Sequence, residues 1–181
     1  MVAKGKEIIL GVTGSIAAYK ACDIIRQLKQ AGFSVKVILT KEAEYFITAL
    51  TLQTLSGNQV YSEMFQIPAD WQLVHISLAK RADLILVAPA TANIIAKLAS
   101  GICDDLLAAI ILATSAPVLI CPAMDENMYQ NKITQDNLAK LKKYGYRFIG
   151  PIKGRLASGK FGLGHLAKVE DIVKEARKVL K

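Results

Sequence analysis

A glycine-containing turn near the start of the chain has residue types that can bind phosphate. Residues 11–15 read Gly-Val-Thr-Gly-Ser and close a short apolar run, Ile8 to Val12. Glycine lets the backbone approach a phosphate closely, and a helix that begins after such a turn offers unpaired N–H groups and a positive dipole end. A full GxGxxG pattern is absent, which disfavours NAD or FAD. The turn predicts a phosphate-binding loop, with a plain glycine turn as the alternative.

A second candidate segment follows the next apolar run and extends from Leu39 to Phe46. The hydroxyl of Thr40 either caps the following helix or contacts a ligand phosphate or ribityl chain. Phe46 is expected more often in a core than against a cofactor, because large aromatic side chains are usually buried.

Two more candidate segments follow strongly apolar runs later in the chain. Residues 89–93 read Pro-Ala-Thr-Ala-Asn, in which Asn93 offers an amide donor and acceptor and Thr91 could equally cap a helix. Residues 122–129 read Pro-Ala-Met-Asp-Glu-Asn-Met-Tyr, and Asp125 could simply cap the helix that follows. His75 lies between apolar residues, where a structural role competes with acid–base catalysis.

The elements that must position these residues alternate between strands and helices. Apolar runs predict strands over 8–12, 35–39, 83–88, 117–121 and 146–149, and apolar spacing of three or four predicts helices over 17–28, 91–98, 104–113, 127–143 and 169–180. Such alternation predicts a doubly wound α/β fold, with a Rossmann- or flavodoxin-like parallel sheet in a three-layer αβα arrangement. Ligands bind beyond the carboxyl ends of strands in such sheets, where each candidate segment after a strand-like run falls.

Residues 150–168 form the one long stretch without a helical or strand pattern. Glycines stand at four positions within it: Gly154, Gly159, Gly162 and Gly164. That much backbone freedom predicts an irregular, moving flap.

Composition limits the class of protein. The 181 residues are 52% hydrophobic and 21% charged, which predicts one folded domain over 1–181. The formal charge of +8 fits solubility or attraction of phosphorylated ligands, and its scattered lysines without a recognition motif argue against nucleic acid. No apolar run is long enough to span a membrane and residues 1–7 do not resemble a signal peptide, so a cytoplasmic location is expected. Three dispersed cysteines and two histidines favour reduced thiols and no metal site.

The candidate segments occur in an order that resembles the homo-oligomeric flavin-containing cysteine decarboxylases, most closely those of coenzyme A biosynthesis. Residues 89–94 resemble the PASANT motif of that family, with Thr91 for serine and Ile94 for threonine. Residues 122–129 resemble its PxMNxxMW motif, and residues 156–165 resemble its LACGxxGxGR flap. The resemblance covers the whole chain, and three motifs in the same order make it specific.

The resemblance implies an FMN cofactor and assigns roles to individual residues. It places the FMN phosphate at Gly14 and Ser15, and the rest of the cofactor against Thr40, Phe46, Thr91, Ala92, Asn93 and Ala123. The implied catalytic residues are His75, Asp125 and Ser158, and the implied substrate contacts are Asn93, Asp125, Met128 and Gly159. The implied partners are other copies of the chain, in a homotrimer or homododecamer, and a fused or separate phosphopantothenate–cysteine ligase.

The implied reaction converts 4′-phospho-N-pantothenoyl-L-cysteine to 4′-phosphopantetheine. A cysteine carboxylate has no electron sink nearby, so direct loss of CO₂ would leave an unstabilised carbanion. Oxidation of the side chain to a thioaldehyde supplies the sink, CO₂ leaves, and the resulting ene-thiol is reduced again. His75 would act as a base or an orienting donor.

Three departures from the family motifs bear on the chemistry. Ser158 stands where the flap has a cysteine that protonates the ene-thiolate, and a hydroxyl is a weaker acid than a thiol. Asp125 replaces an asparagine that would meet the substrate carboxylate, and His165 replaces an arginine. A natural variant in which Asp125 and Ser158 changed together is the favoured hypothesis, and a damaged or engineered active site is its rival.

Other functions remain open at this point. A peptidyl-cysteine decarboxylase that stops at the ene-thiol would not need the flap cysteine. A non-catalytic flavin-binding regulatory subunit is a third hypothesis, against which His75 argues. A nucleic-acid binder is the least favoured.

Overall fold

The computed structural model describes residues 5–64 and 73–181. The first four residues of the expected non-signal N-terminal segment lie outside this range. The described part contains eight α-helices: α1 (Ala21–Gln30), α2 (Ala49–Ser56), α3 (Val74–Arg81), α4 (Ala92–Ser100), α5 (Leu106–Ala113), α6 (Glu126–Gln130), α7 (Lys132–Lys143) and α8 (Val169–Val179). Its strands are β1 (Glu7–Val12), β2 (Ser34–Leu39), β3 (Val60–Tyr61), β4 (Leu84–Ala90), β5 (Val118–Pro122), β6 (Arg147–Phe148), β7 (Ile152–Arg155) and β8 (Phe161–His165).

Six strands form one parallel sheet in the order β3-β2-β1-β4-β5-β6. Strands β4 and β5 are buried along their whole length, which explains their nearly continuous apolar sequences. The order reverses direction between β1 and β4, because β2 and β3 lie on one side and β5 and β6 on the other. This reversal is a topological switch point, the place where ligands bind in open α/β sheets.

Helices cover both faces of this sheet. Alternate residues of β1 face opposite layers: Ile8 and Leu10 pack in the core with α1 and α8, and Ile9 packs in the core with α4 and α5. The predicted three-layer α/β fold is therefore confirmed. Within residues 5–64 and 73–181, no helix combines the length and apolar character that crossing a membrane would require.

The 150–168 segment is more regular than its sequence predicts. Strands β7 and β8 pair as an antiparallel hairpin, so the expectation of an irregular stretch is wrong. Glycine is depleted in strands, so the four glycines of this segment disfavoured a prediction of paired strands.

The helices differ from prediction in detail. The helix predicted over 127–143 is divided into α6 and α7, because the Asn131 side chain caps α7 by accepting a hydrogen bond from Ile133 N at 2.9 Å. The helix predicted over 17–28 begins with a 3-10 turn at Ile16–Lys20. Helices α2 and α3 and strand β3 have no counterpart in the sequence prediction.

Candidate active site

The carboxyl ends of β1 and β4 are joined by one threonine. Thr13 Oγ1 donates to the Pro89 carbonyl at 2.8 Å and accepts from Thr91 N at 3.1 Å. Thr13 is buried, so both hydrogen bonds lie away from solvent. The glycine turn and the 89–93 segment are therefore held side by side at the switch point.

A cavity of about 310 Å³ opens beside this junction, and we call it the switch-point cavity. Its volume falls near the lower end of the range of about 300–1,000 Å³ that is usual for small-molecule sites. Eight of the residues singled out from sequence line it: Gly14, Ser15, Thr40, Thr91, Ala92, Asn93, Ala123 and Met128. They come from four separate segments that follow β1, β2, β4 and β5, so the sheet topology brings them together.

Thr40 has an unsatisfied hydroxyl in this cavity. Its Oγ1 is buried and has no hydrogen-bond partner among the described residues, and its backbone carbonyl, not its side chain, accepts from Ala43 N. The alternative of a side-chain helix cap is therefore wrong. A buried hydroxyl without a partner is unfavourable, so the position fits a ligand that supplies phosphate or hydroxyl oxygens.

Gly14 leaves room that no other residue would leave. A Cβ at this position would lie 2.5 Å from the Cβ of Glu42. The glycine turn therefore packs against the loop after β2 so closely that a side chain at position 14 would clash. With the Thr40 hydroxyl on the same loop, the cavity offers a ligand both a close backbone turn and an unused hydrogen-bonding group.

A second cavity of about 370 Å³, the hairpin cavity, lies under the β7–β8 hairpin. It shares Ser15, Ala123 and Met124 with the switch-point cavity, so the two spaces adjoin. Asp125, Ser158 and His165, the three departures from the family motifs that bear on the chemistry, all line the hairpin cavity. None of these three lines the switch-point cavity, which is lined instead by the two departures in the PASANT-like motif, Thr91 and Ile94.

Asp125 has a defined structural role. Its Oδ1 accepts from Asn127 N at 2.9 Å and caps α6, as one interpretation of the sequence predicts. One carboxylate oxygen is thereby directed toward the helix N-terminus, where negative charge is favourable. The side chain also lines the hairpin cavity, so the two interpretations of this residue are compatible.

Glu126 holds the hairpin over the cavity. Its Oε1 accepts a hydrogen bond from Leu163 N at 2.9 Å, and a Cβ at Gly162 would lie 2.6 Å from its Oε2. Met124 N donates to the Gly164 carbonyl at 3.1 Å, which adds a backbone link between the loop after β5 and β8. The glycines of the segment therefore permit close docking of the hairpin.

Lys20 and His165 form a polar pair in the hairpin cavity. Lys20 Nζ lies 2.8 Å from His165 Nε2, and His165 Nδ1 lies 3.2 Å from the Arg155 carbonyl. An ammonium group only donates and a carbonyl only accepts, so the two contacts together fit a neutral imidazole with its proton on Nδ1. Burial lowers the pKa of Lys20, and the nearby charge of Glu170 acts in the opposite direction.

The cysteines do not compensate for Ser158. Cys22, Cys103 and Cys121 all lie in the described part of the chain, and none of them lines the hairpin cavity. Burial raises the pKa of the Cys121 thiol, which keeps it protonated in the core. The hairpin cavity is therefore lined by the Ser158 hydroxyl and by no cysteine thiol of this chain.

Three predicted residues line neither cavity. Phe46 is 45% exposed, so the expectation that it lies in the core is wrong. His75 lies half-buried in the first turn of α3, and Gly159 lies in the hairpin turn with a φ of +82°. Their roles remain predictions.

Sequence reasoning missed Lys20, Arg155 and Glu126 as residues of this region. Lys20 ends the segment that begins with the glycine turn, and Glu126 follows Asp125 directly, so the sequence could have identified both residues. Arg155 lies in a segment that the sequence predicts to be irregular, and its placement depends on the hairpin.

Comparisons with known proteins agree with this architecture. Residues 2–181 match the Flavoprotein family. The chain is 47% identical over 169 residues to the coenzyme A biosynthesis bifunctional protein CoaBC of Vibrio vulnificus strain YJ016, covering 93% of this chain and 42% of that protein. It is 46% identical to the probable phosphopantothenoylcysteine decarboxylase of Streptococcus mutans, covering 97% of this chain and 99% of that protein.

Two solved structures extend the comparison to three dimensions. A cysteine-to-serine mutant of PPC decarboxylase complexed with pantothenoylaminoethenethiol has a TM-score of 0.85 and 31% identity, covering 96% of this chain and 97% of that one. The FMN-binding protein AtHal3 has a TM-score of 0.80 and 30% identity, covering 96% and 95% of the two chains. The chain belongs to the Flavoprotein family, and its cofactor is a flavin.

Proposed function

We propose that this chain uses FMN to decarboxylate 4′-phospho-N-pantothenoyl-L-cysteine to 4′-phosphopantetheine in coenzyme A biosynthesis. The names of the Vibrio and Streptococcus relatives support this assignment. The chain spans only 42% of the length of the Vibrio bifunctional protein, and a phosphopantothenate–cysteine ligase, fused or separate, is its proposed functional partner.

The observation that carries the proposal is the shared wall between the two cavities. Ser15, Ala123 and Met124 border both the switch-point cavity and the hairpin cavity. A flavin in the first would therefore lie against a substrate in the second. Decarboxylation of a cysteine conjugate requires this adjacency, because the side chain must exchange electrons before the carboxylate can leave.

The residues of the switch-point cavity bind and orient the cofactor. When bound, FMN supplies the two-electron chemistry that gives the departing carboxylate an electron sink. Gly14 and Ser15 are placed to meet the phosphate, and Thr40 Oγ1 offers a hydrogen bond that the described protein leaves unused. Thr91, Ala92 and Asn93 form the facing wall.

Asp125 and Ser158 act on the substrate side. Since one oxygen of Asp125 is occupied by the α6 cap, the residue can accept a substrate N–H without its whole charge facing the substrate carboxylate. Ser158 can donate a hydrogen bond to the sulfur, but its hydroxyl is a poorer proton donor than a thiol. This chain would therefore perform the final protonation more slowly than a chain with a cysteine at this position.

We further propose a homotrimer, or a dodecamer of four trimers, that completes the site. Ile16 and Tyr19 line the hairpin cavity and are more than half exposed, and the exposed Met128 lines the switch-point cavity. Exposed apolar groups around a site are typical of an interface. His75 does not line either cavity of its own chain, so we assign it to the site of a neighbouring copy.

The product mass tests the proposed reaction. The FMN-loaded protein is incubated without oxygen with 4′-phospho-N-pantothenoyl-L-cysteine, and the product is analysed by mass spectrometry. We expect CO₂ and the saturated thiol. A product two hydrogens lighter would identify an oxidative decarboxylase that stops at the ene-thiol, and FMN binding without any CO₂ would identify a regulatory subunit.

Ser158→Cys separates a natural variant from a disabled site. We expect it to raise the fraction of saturated product from an already active enzyme, because a thiol protonates the ene-thiolate faster. Ser115→Cys adds an exposed thiol elsewhere and serves as the matched control. If Ser158→Cys creates activity where the native chain has none, the native site was not competent.

A further inference from the structure

The hairpin cavity contains a group of basic side chains that the reaction chemistry does not use. Lys20, Arg155 and His165 line it from the end of the 3-10 turn and from the two strands of the hairpin. One carboxylate, Asp125, lines the same space, and one of its oxygens is occupied by the α6 cap. The nearby Glu170 acts on Lys20 but does not line the cavity. Lys20 and Arg155 therefore outnumber the one carboxylate in the lining, which favours an anionic ligand.

The Lys20 side chain is held in a defined position by its neighbours. The described residues provide it with no salt bridge, and its ammonium group is held by His165 Nε2 at 2.8 Å. The imidazole is fixed in turn by the Arg155 carbonyl, and it lies directly over Gly154, where a Cβ would be 2.9 Å from the ring. Burial disfavours the charged form of Lys20, because the ammonium group loses contact with water. An anion placed beside it would stabilise the charged form again.

We infer that Lys20, oriented by His165, forms the subsite for the terminal phosphate of the substrate. This inference rests on the proposed function, from which it takes the phosphorylated substrate. It also gives His165 a specific role, because a neutral imidazole that accepts a hydrogen bond positions the lysine, whereas an arginine at this place would repel it. Lys20 thus supplies the point charge and His165 its orientation.

The geometry favours the phosphate over the cysteine carboxylate as the anion. The reacting end of the substrate must lie at the wall shared by the two cavities, where Ser15 stands. The 3-10 turn Ile16–Lys20 separates Lys20 from Ser15, and at about 2 Å per residue five residues correspond to about 10 Å. The phosphate is at the opposite end of the elongated substrate, so it matches this separation better than the carboxylate does.

Calorimetric binding of unreactive ligands to the FMN-loaded protein tests the inference. The two probes are 4′-phosphopantothenate and pantothenate, which lack the cysteine and differ only in the phosphate. We expect the native protein to bind the phosphorylated probe at least tenfold more tightly. Lys20→Gln should abolish this preference, leave the affinity for pantothenate unchanged and leave FMN binding unchanged.

Lys160→Gln is the matched control, because it removes the same charge at an exposed position of the hairpin that does not line the cavity. It should retain the preference. An unchanged preference in Lys20→Gln would overturn the inference. Equal weakening of the binding of both probes would also overturn it, because it would show that the lysine has a purely structural role. Loss of FMN binding would instead assign Lys20 to the cofactor phosphate, and failure of the native protein to bind either probe would also contradict the subsite.

These outcomes are separable from failure of the proposed function. A protein that prefers 4′-phosphopantothenate but releases no CO₂ from the cysteine conjugate retains the subsite and loses the proposed reaction. A protein that decarboxylates the conjugate without any preference for the phosphate retains the reaction and loses the subsite.

Discussion

At the residue scale, Thr13 and Thr40 are two buried threonines with opposite roles. Thr13 Oγ1 makes two hydrogen bonds within the protein, and Thr40 Oγ1 makes none among the described residues. The first hydroxyl contributes to the fold, and the second is available to a ligand. The two side chains therefore allow ligand binding to be tested separately from stability.

Thr40→Val should weaken FMN binding while leaving the apoprotein at least as stable as the native one. Removal of a buried hydroxyl without a partner should raise the free energy of unfolding of the apoprotein by about 1 kcal/mol, and loss of a hydrogen bond to the cofactor should raise the FMN Kd about tenfold. Fluorescence titration and chemical denaturation measure these two quantities. Thr13→Val is the control and should destabilise the apoprotein by about 1–3 kcal/mol; a destabilised Thr40→Val would refute this interpretation of Thr40.

The phosphate preference should depend on pH through Lys20. Lys20 attracts phosphate only in its charged form, and burial lowers the pKa of Lys20 below the ordinary lysine value of 10.5. The preference for 4′-phosphopantothenate over pantothenate should therefore be full at neutral pH and fall as pH rises through that lowered pKa. The other charged or titratable groups facing Lys20 are His165 on β8, Arg155 on β7, Asp125 at the start of α6 and Glu170 on α8.

Lys20→Arg provides the comparison for this pH profile. A guanidinium stays protonated up to about pH 12, so a variant that still binds the phosphate should keep its preference across the range in which the native protein loses it. Identical pH profiles for the two proteins would contradict titration of Lys20 as the cause.

At the element scale, the β7–β8 hairpin is held over its cavity by few contacts. The Glu126 carboxylate is the one side chain shown to accept from a backbone N–H of β8 in the described structure, and the hairpin pairs with no strand of the main sheet. Elements with few stabilising contacts open locally at low free energy. Glu126 is therefore expected to control how often the hairpin lifts.

Glu126→Ala should speed amide hydrogen exchange at Leu163 and its neighbours in β8 by about tenfold, which corresponds to a loss of about 1.4 kcal/mol of local stability. Exchange in β1 and β4 should not change, because those strands are buried in the main sheet. Asn127→Ala alters an exposed side chain on the same helix and is the control. Equal exchange at Leu163 in the native protein and Glu126→Ala would show that other contacts hold the hairpin.

The elements also show what could be predicted from the sequence. Strands β1, β4 and β5 were predictable because burial on both faces requires nearly continuous apolar runs. Strand β2 was predictable because only Lys36 interrupts its apolar run from Val35 to Leu39. Helix α2 was not, because Leu52 and Ser56 are its only buried residues and produce no apolar stripe. The β7–β8 hairpin was not predictable, because its glycines suggested an irregular segment. In the structure these glycines allow close docking of the hairpin and do not serve flexibility alone.

The same distinction applies to the site. Residues of the switch-point cavity could be predicted because each follows a strand and parallel strands end at one edge. The pairing of Lys20 with His165 could not, because 145 residues separate them and the fold of the hairpin alone brings them together. Resemblance to family motifs identified His165 as a departure, and only the structure shows what it contacts.

At the scale of the whole molecule, the separation of His75 from both cavities predicts a site shared between copies of the chain. Mixtures of His75→Asn with Ser15→Asp, a variant designed to exclude the FMN phosphate, should recover activity that neither variant has alone. Recovery arises in mixed oligomers in which an FMN-bound copy is served by the histidine of its neighbour. Reassembly from denaturant followed by an activity assay measures this, and absence of recovery in verified mixed oligomers would place His75 within its own site.

We propose that a flavin at the switch point enables a cysteine carboxylate in the adjoining cavity to leave. The most direct measurement uses 4′-phospho-N-pantothenoyl-L-cysteine labelled with ¹³C in the carboxyl group, added without oxygen to apoprotein and to FMN-loaded protein. Labelled CO₂ should appear with the loaded protein and be absent with the apoprotein. Equal release from both, or none from a fully loaded protein, would contradict the account.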